Sequence, residues 1–344
     1  MAVWCPKDKQ LNLDFVRTPL GIGPVEFRNR VALAPMSGVT DLPFRQLAFE
    51  FGAGFVVTEM VASRELVGNS AESWSRLQNS GIHPHIVQLA GRDPHYMAEG
   101  ARIAEANGAD IIDINMGCPA KKVIGGLSGS ALMREPELAL SLIEATVKAV
   151  SVPVTVKMRL GWDEQSINAP ELAKAAEDLG VRMITVHGRT RMQFYEGRAN
   201  WDLIAGVRDR ISIPLIANGD VETTADIAAI LEKSGADAVM IGRGSHGRPW
   251  HTGVLAGFRA APDRQEIADI FERHYRMTID FYGALPGLRH ARKHVGWTLD
   301  RFGGAVSSQT RTMVLTSHDP EFVIATMRGI LLDPASEMSI SEAA

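Results

Sequence analysis

A recurrence runs through most of this sequence and limits the folds open to it. Short apolar, β-branched runs return roughly every 30 residues from Val31 to Ala238, and helical patterns lie between them, the spacing of a (β/α)₈ barrel. The runs are VALAPM from Val31, FVVTEM from Phe55, HIVQLAG from His85, IIDINMG from Ile111, VTVKMRL from Val154, MITVHGR from Met183, PLIANGD from Pro214 and AVMIGRG from Ala238. Segments such as Pro94–Asn107, Glu137–Val150 and Thr223–Lys233 carry apolar residues at three- and four-residue spacing, which predicts helices. Glycines at 108 and 235 follow two of them, where glycine can cap a helix C-terminus. Near-continuous apolar strands imply a parallel sheet covered on both faces. A doubly wound sheet would predict a G-x-G-x-x-G turn after its first strand, and there is none. The predicted fold is therefore an α/β TIM barrel over residues 1–252. Leu11–Arg30, with Gly21, Gly23 and Pro24 between apolar runs, reads as a hairpin that plugs the N-terminal end of the barrel.

The strand pattern stops near Trp250. Arg264–Tyr282, Leu288–Phe302 and Glu321–Leu332 have helical periodicity without strand runs, which predicts an appended all-helical domain over 263–332 and a loose tail over 333–344. With 344 residues, 45% hydrophobic and 22% charged, the chain has material for a barrel and an appendage, and disorder, collagen and coiled coil are excluded. The formal charge of −4 gives no global positive field, so any nucleic-acid surface must be local. Two cysteines, Cys5 and Cys118, are too few for a disulfide framework and too far apart for a metal pair. The N-terminal residues show no secretory pattern, and the uncharged run Leu77–Gly91 contains polar residues and cannot span a bilayer. A cytoplasmic protein without metal or membrane partner is expected, and a monomer is the working assumption.

Barrel active sites lie at the C-terminal ends of the strands. Every run here ends in polar residues: Ser37, Glu59, Gln88, Asn115, Lys157 with Arg159, His187 with Arg189, Asn218 with Asp220, and Arg243. The last two runs close in Asn218-Gly219-Asp220 and Gly242-Arg243-Gly244. These glycines either make tight βα turns or offer backbone N–H groups to a phosphate, at the commonest phosphate locus of such barrels. Lys157 is either a rim charge or a cation for an anion or an electron-rich ring, and His187 either a structural histidine or a site residue. Cys118, in Asn115-Met116-Gly117-Cys118-Pro119, is either a small buried hydrophobe or a general acid, since an ordinary thiol is protonated at neutral pH. In the helical part, Leu288, Ala291, Val295 and Leu299 share one face, and Arg289, His290, Arg292, Lys293 and His294 are assigned to the other. That face is either merely solvated or a phosphate-backbone contact.

Together these strings resemble the tRNA-dihydrouridine synthases, in particular the bacterial B-type subgroup, from about Gly21 through Phe302. The resemblance is carried by Ala34-Pro35-Met36-Ser37-Gly38-Val39-Thr40-Asp41, Gln88, Asp113 through Lys122, Gly129-Ser130-Ala131-Leu132, Lys157 with Arg159, Gly161 and Trp162, His187-Gly188-Arg189-Thr190-Arg191, Asn218-Gly219-Asp220, Gly242-Arg243 and Ala291-Arg292-Lys293-His294. It implies an FMN-binding barrel over 1–252 and a helical tRNA-binding domain over 263–332, reducing a D-loop uridine with NADPH as ultimate donor. It implies that Pro35, Met36 and Ser37 line the flavin, that Gln88, Lys157 and His187 contact its ring, and that Asn218, Gly219, Asp220, Gly242 and Arg243 hold its ribityl-phosphate. Asn115 would orient the uracil and Cys118 protonate it. Arg159, Arg189, Arg191, Arg289, Arg292 and Lys293 would serve the RNA substrate, and position 17 is the expected target. Two departures stand out: Ser128 where the family commonly has Ala, and Glu196, an acidic residue where relatives often carry a basic one. The nearest rival is a dihydroorotate-dehydrogenase-like flavoenzyme, which a basic helical appendage disfavours. A barrel that binds RNA or a regulatory partner without catalysis is a second rival, disfavoured by Cys118, Lys157 and both glycine turns.

Overall fold

The computed structural model describes residues 14–79, 81–120 and 128–333. Cys5, Lys121, Lys122 and nearly all of the 333–344 segment lie outside them. Ten strands are described: β1 (Leu20–Ile22), β2 (Val25–Phe27), β3 (Val31–Leu33), β4 (Val61–Ala62), β5 (Ile86–Ala90), β6 (Ile111–Met116), β7 (Val154–Arg159), β8 (Met183–His187), β9 (Leu215–Asn218) and β10 (Ala238–Ile241). Strands β3 to β10 form one parallel sheet in the order β3-β10-β9-β8-β7-β6-β5-β4. Parallel bridges Leu33↔Val56 and Val57↔Ile86 join its two ends through the segment ahead of β4, which closes the barrel.

Side-chain alternation sorts each strand between two environments. Val87, Leu89, Ile112, Ile114, Val154, Val156, Ile184 and Val186 belong to the outer core shared with the surrounding helices. The inward set changes character along the barrel axis. At the N-terminal end Ile86, Ile111, Met183, Ile216 and Ala238 make an apolar layer. One step further along the strands come buried Gln88, Asp113, Thr155 and Thr185, then Asn115, Lys157, His187 and Asn218.

The β1–β2 hairpin seals the apolar end. Gly23, at φ +61°, lets the chain reverse, and Leu20, Ile22 and Phe27 join the inner core, with Phe27 stacked on Phe55 at 3.9 Å between ring centroids. Each such fully buried side chain contributes about 1.5–3 kcal/mol. Local signals set the connections. In Thr224–Ser234, Thr223 accepts from the Asp226 N–H and Asp226 accepts in return, while Gly235 at φ +63° ends the helix ahead of β10.

The C-terminal helical region comprises Arg264–Tyr282, Ala284–Phe302, Ser308–Thr316 and Pro320–Leu332. Its own core gathers Phe271, Tyr275, Leu288, Ala291, Val295, Leu299, Val323 and Met327 against Trp250. Gly287 brings the first two helices close: a Cβ there would lie 2.6 Å from the Ile279 Cα. The Ser308–Thr316 helix was not anticipated, because Val314 is its single buried residue and no apolar stripe announces it. Among the described residues no helix is long and apolar enough to cross a membrane.

Candidate active site

A cavity of about 670 Å³ opens at the C-terminal ends of the strands. It is lined by Pro35, Met36, Ser37, Gln88, Asn115, Cys118, Lys157, Arg159, His187, Arg189, Asn218, Gly219, Asp220, Gly242 and Arg243, residues widely separated in sequence. Of the sequence-predicted positions, Glu59, Arg191, Arg289, Arg292 and Lys293 are not brought to it.

A chain of amides crosses the floor. Asp113 Oδ2 accepts from Gln88 Nε2 at 2.7 Å, and its Oδ1 accepts from the Thr155 hydroxyl at 2.6 Å. Gln88 Oε1 accepts from Asn115 Nδ2 at 2.7 Å, and Asn115 Oδ1 accepts from the backbone N–H of Gly117 and Cys118. Asn115 is thereby fixed in orientation and fixes the start of the cysteine loop. Burial pushes the Asp113 carboxyl up, opposed by the Gln88 and Thr155 hydrogen bonds and the Lys157 charge. Burial also pushes the Cys118 thiol above its ordinary value, with the Arg159 and Lys157 charges pulling the other way. The thiol is therefore protonated at neutral pH, as an acid must be, and two cations stand by for its conjugate base.

Lys157 Nζ donates to Asn218 Oδ1 at 3.1 Å, and Asn218 Nδ2 donates to the Met240 carbonyl at 2.7 Å. Burial and neighbouring Arg159 pull the Lys157 ammonium down to about 8. His187 is held well below its usual range by burial and the Arg159, Lys157, Arg189 and Arg243 charges, so its ring is neutral. Arg189 Nη1, which can only donate, meets His187 Nε2 at 3.3 Å, which leaves the ring proton on Nδ1.

The arginines differ from expectation. Arg159 and Arg189 are each 1% exposed, and both line the cavity with their guanidinium groups taken up by internal partners. Arg159 donates to the carbonyls of Gly117, Thr190 and Phe194, each at 2.8 Å, and so ties the cysteine loop to the loop after β8. Arg189 holds Asp220 Oδ2 at 2.6 Å and the Gly197 carbonyl at 2.8 Å, while Asp220 Oδ1 meets Arg243 Nη2 at 3.2 Å. Arg191 is buried, its guanidinium over the Trp162 and Phe194 rings. The helix Ala284–Phe302 also corrects the assignment of its faces. His294 is buried, packed near Phe44 and His274, rather than lying on the basic face with Arg289. Lys293 donates to the Gly38 carbonyl, so its ammonium points at the barrel. Arg289 is exposed.

The lining also includes Met60, Phe194, Tyr195, Val221, Glu222 and His246, which the sequence did not nominate. His246 had no motif to reveal it, because its place depends on the ring of Trp297, stacked on it at 3.8 Å.

The mouth fits a phosphorylated planar cofactor. Its volume suits a cofactor site, its donors are Lys157, His187 and Arg243, and a Cβ added at Gly242 would already touch Met36 Sδ at 3.6 Å and the Ala34 Cβ at 3.8 Å. Gly219, at φ +126°, has no room for a side chain: a Cβ would lie 2.7 Å from that of Ala199. A closed parallel barrel with such a mouth at the C-terminal ends of its strands defines the class of barrel enzymes. Comparison with known proteins narrows the class. Residues 32–326 match the family model "Dihydrouridine synthase (Dus)". The chain is 68% identical over 300 residues to a probable tRNA-dihydrouridine synthase of Rhizobium leguminosarum bv. phaseoli, covering 87% of this chain and 94% of that one. It is 45% identical over 291 residues to tRNA-dihydrouridine synthase B of Pseudomonas aeruginosa, covering 83% and 88%. Among solved structures, TcOYE with pHBA superposes with a TM-score of 0.56 at 15% identity, covering 78% of this chain and 98% of that one, a likeness of fold. The chain belongs to the dihydrouridine synthase family, flavin-dependent oxidoreductases.

Proposed function

We propose that this chain reduces the C5–C6 double bond of a tRNA D-loop uridine, at position 17, with FMN in the barrel mouth and NADPH as ultimate donor. The observation that carries this reading is a protonated thiol, Cys118, beside a fixed amide, Asn115, at the rim of a cofactor-sized cavity. When bound, FMN supplies a hydride from its N5 to uracil C6.

The chain's own residues do the rest. Asn115 orients the uracil edge, and Cys118 gives its proton to C5. The Arg159 and Lys157 charges favour the thiolate left behind until solvent reprotonates it. Gln88, Lys157 and the neutral His187, with Pro35, Met36 and Ser37, line the cavity and would hold the flavin ring. The backbone at Gly219 and Gly242, with Arg243, takes the phosphate. The Asp220 carboxylate, already paired with Arg189 and Arg243, aims those cations rather than meeting the phosphate itself. Arg159 and Arg189 serve the substrate through the loops and the histidine they hold. Because the target base is stacked in folded tRNA, it must swing out into the mouth.

The test is a single turnover. NADPH-reduced holoenzyme mixed with unmodified tRNA should be oxidised as dihydrouridine appears at position 17. Cys118→Ala should keep its flavin and react slower by roughly 10²–10⁴-fold. An unchanged rate in that variant would remove Cys118 as the acid, and tRNA that fails to oxidise the wild-type enzyme would sink the reading.

A further inference from the structure

The helix Ala284–Phe302 does more than face outward. Lys293, Trp297 and Arg301 recur at four-residue spacing, so they form one stripe along it. The stripe meets two turns of the barrel mouth. Lys293 Nζ donates to the Gly38 carbonyl, and the Gly38 N–H donates to buried Glu59. The turn so held is Met36–Thr40, whose Val39 and Thr40 N–H groups bond back to the Met36 carbonyl. At the other turn, Arg301 Nε donates to the His246 carbonyl at 2.8 Å, and the Trp297 ring lies on the His246 ring with an interplanar angle of 18°. Gly247, at φ +70°, brings the backbones together: a Cβ there would lie 2.9 Å from the Trp297 carbonyl carbon. The two turns follow β3 and β10, which are paired neighbours in the barrel. Met36 from one and Gly242 from the other both line the cavity, and a Cβ added at Gly242 would lie 3.6 Å from Met36 Sδ.

From this geometry we propose that Lys293, Trp297 and Arg301 are positioning residues: they clamp the turns after β3 and β10, and so fix the wall against which FMN binds. Lys293 then serves the flavin site through the Gly38 turn, without lining the cavity, rather than serving the RNA surface. The proposal rests on the FMN reading above. Of the turn's holds, Glu59 and Arg45, which donates to the Thr40 carbonyl at 2.9 Å, come from the barrel. From the helical region, Lys293 supplies the hold on the Gly38 carbonyl.

The experiment titrates FMN into deflavinated full-length protein and records visible-region circular dichroism of the bound flavin. Lys293→Met, which keeps the aliphatic stem, should weaken FMN binding roughly 3- to 30-fold and alter the dichroism, while leaving the salt dependence of tRNA binding unchanged. Trp297→Ala should do likewise, and Trp297→Phe should restore most of the affinity because it keeps a stacking ring. Arg276→Ala supplies the control. It breaks an ion pair with Glu321 inside the helical region, away from the clamp, and should leave FMN affinity at the wild-type value. Wild-type FMN affinity and dichroism in Lys293→Met and Trp297→Ala would overturn the clamp alone. A wild-type protein that takes up no FMN would overturn the functional reading and the clamp with it.

Discussion

Lys157 and Cys118 have opposite electrostatic problems in one cavity. Burial opposes charge on both, so the thiol is pushed up and the ammonium is pulled down to about 8. For the thiol the acid form is the active one, so a raised value moves the alkaline loss of activity above the range of a free thiol. For the lysine the cation is the useful form. It is present below about 8 in the ligand-free protein and lost above it, and an anionic ligand favours keeping the proton. FMN affinity should therefore fall as pH rises from 7.5 to 9.5, a window above the phosphate's own second ionisation at about 6. In Lys157→Met the affinity should be lower and flat over the same window. A flat wild-type profile would show that Lys157 does not meet the cofactor's charge. Much at this scale is legible in the sequence, since residue type and position at a strand's end are enough to nominate Gln88, Asn115, Lys157, His187 and Asn218. The partners are not legible. Nothing in His187-Gly188-Arg189-Thr190-Arg191 says that Arg189 turns inward to Asp220, 31 residues away, because that depends on how the loops after β8 and β9 fold over each other.

Elements are legible where burial is two-sided. Strands β5 to β10 stand out because apolar residues occupy both their faces, and the β3 turn is marked by its motif. The first two helices of the C-terminal region show the limit. A helical wheel says which residues share a face, and it places Leu288, Ala291, Val295 and Leu299 correctly. It does not say that a second flank is also covered, which is why His294 and Lys293, assigned to the basic face, lie against the barrel. Gly287 marks the closest approach of these helices and gives a prediction whose sign is decisive. Replacing glycine by alanine inside a helix normally stabilises by up to about 1 kcal/mol. Here the new Cβ would lie 2.6 Å from the Ile279 Cα and 3.1 Å from the Thr278 carbonyl oxygen, so the helices must separate. Such overpacking costs about 1–3 kcal/mol. Gly287→Ala should accordingly lower the Tm of the helical region; a raised Tm would mean the two helices slide apart freely.

Over the whole molecule, a net charge of −4 has to be reconciled with a polyanionic substrate. The arrangement of charge in the C-terminal region does this. Arg273 is paired with Glu50, Arg276 with Glu272 and Glu321, Arg311 with Asp300, and Arg328 with Asp269 and Glu272. Arg301 lies 3.7 Å from Glu222. Exposed pairs of this kind add little stability, but they neutralise the charges that they use. Arg289 and Arg292 have no carboxylate partner among the described residues, and they sit on the helix that clamps the mouth. An RNA backbone laid across them would be held beside the cavity into which its base must swing. Each phosphate contact releases counterions, so Arg289→Ala with Arg292→Ala should weaken tRNA binding and flatten the slope of log affinity against log salt by about one to two units. Lys293→Met, its ammonium already committed to Gly38, should leave the slope where it is. Equal slopes for the double variant and the wild type would move the RNA contact elsewhere on the barrel rim. A flattened slope in Lys293→Met would return that residue to the interface.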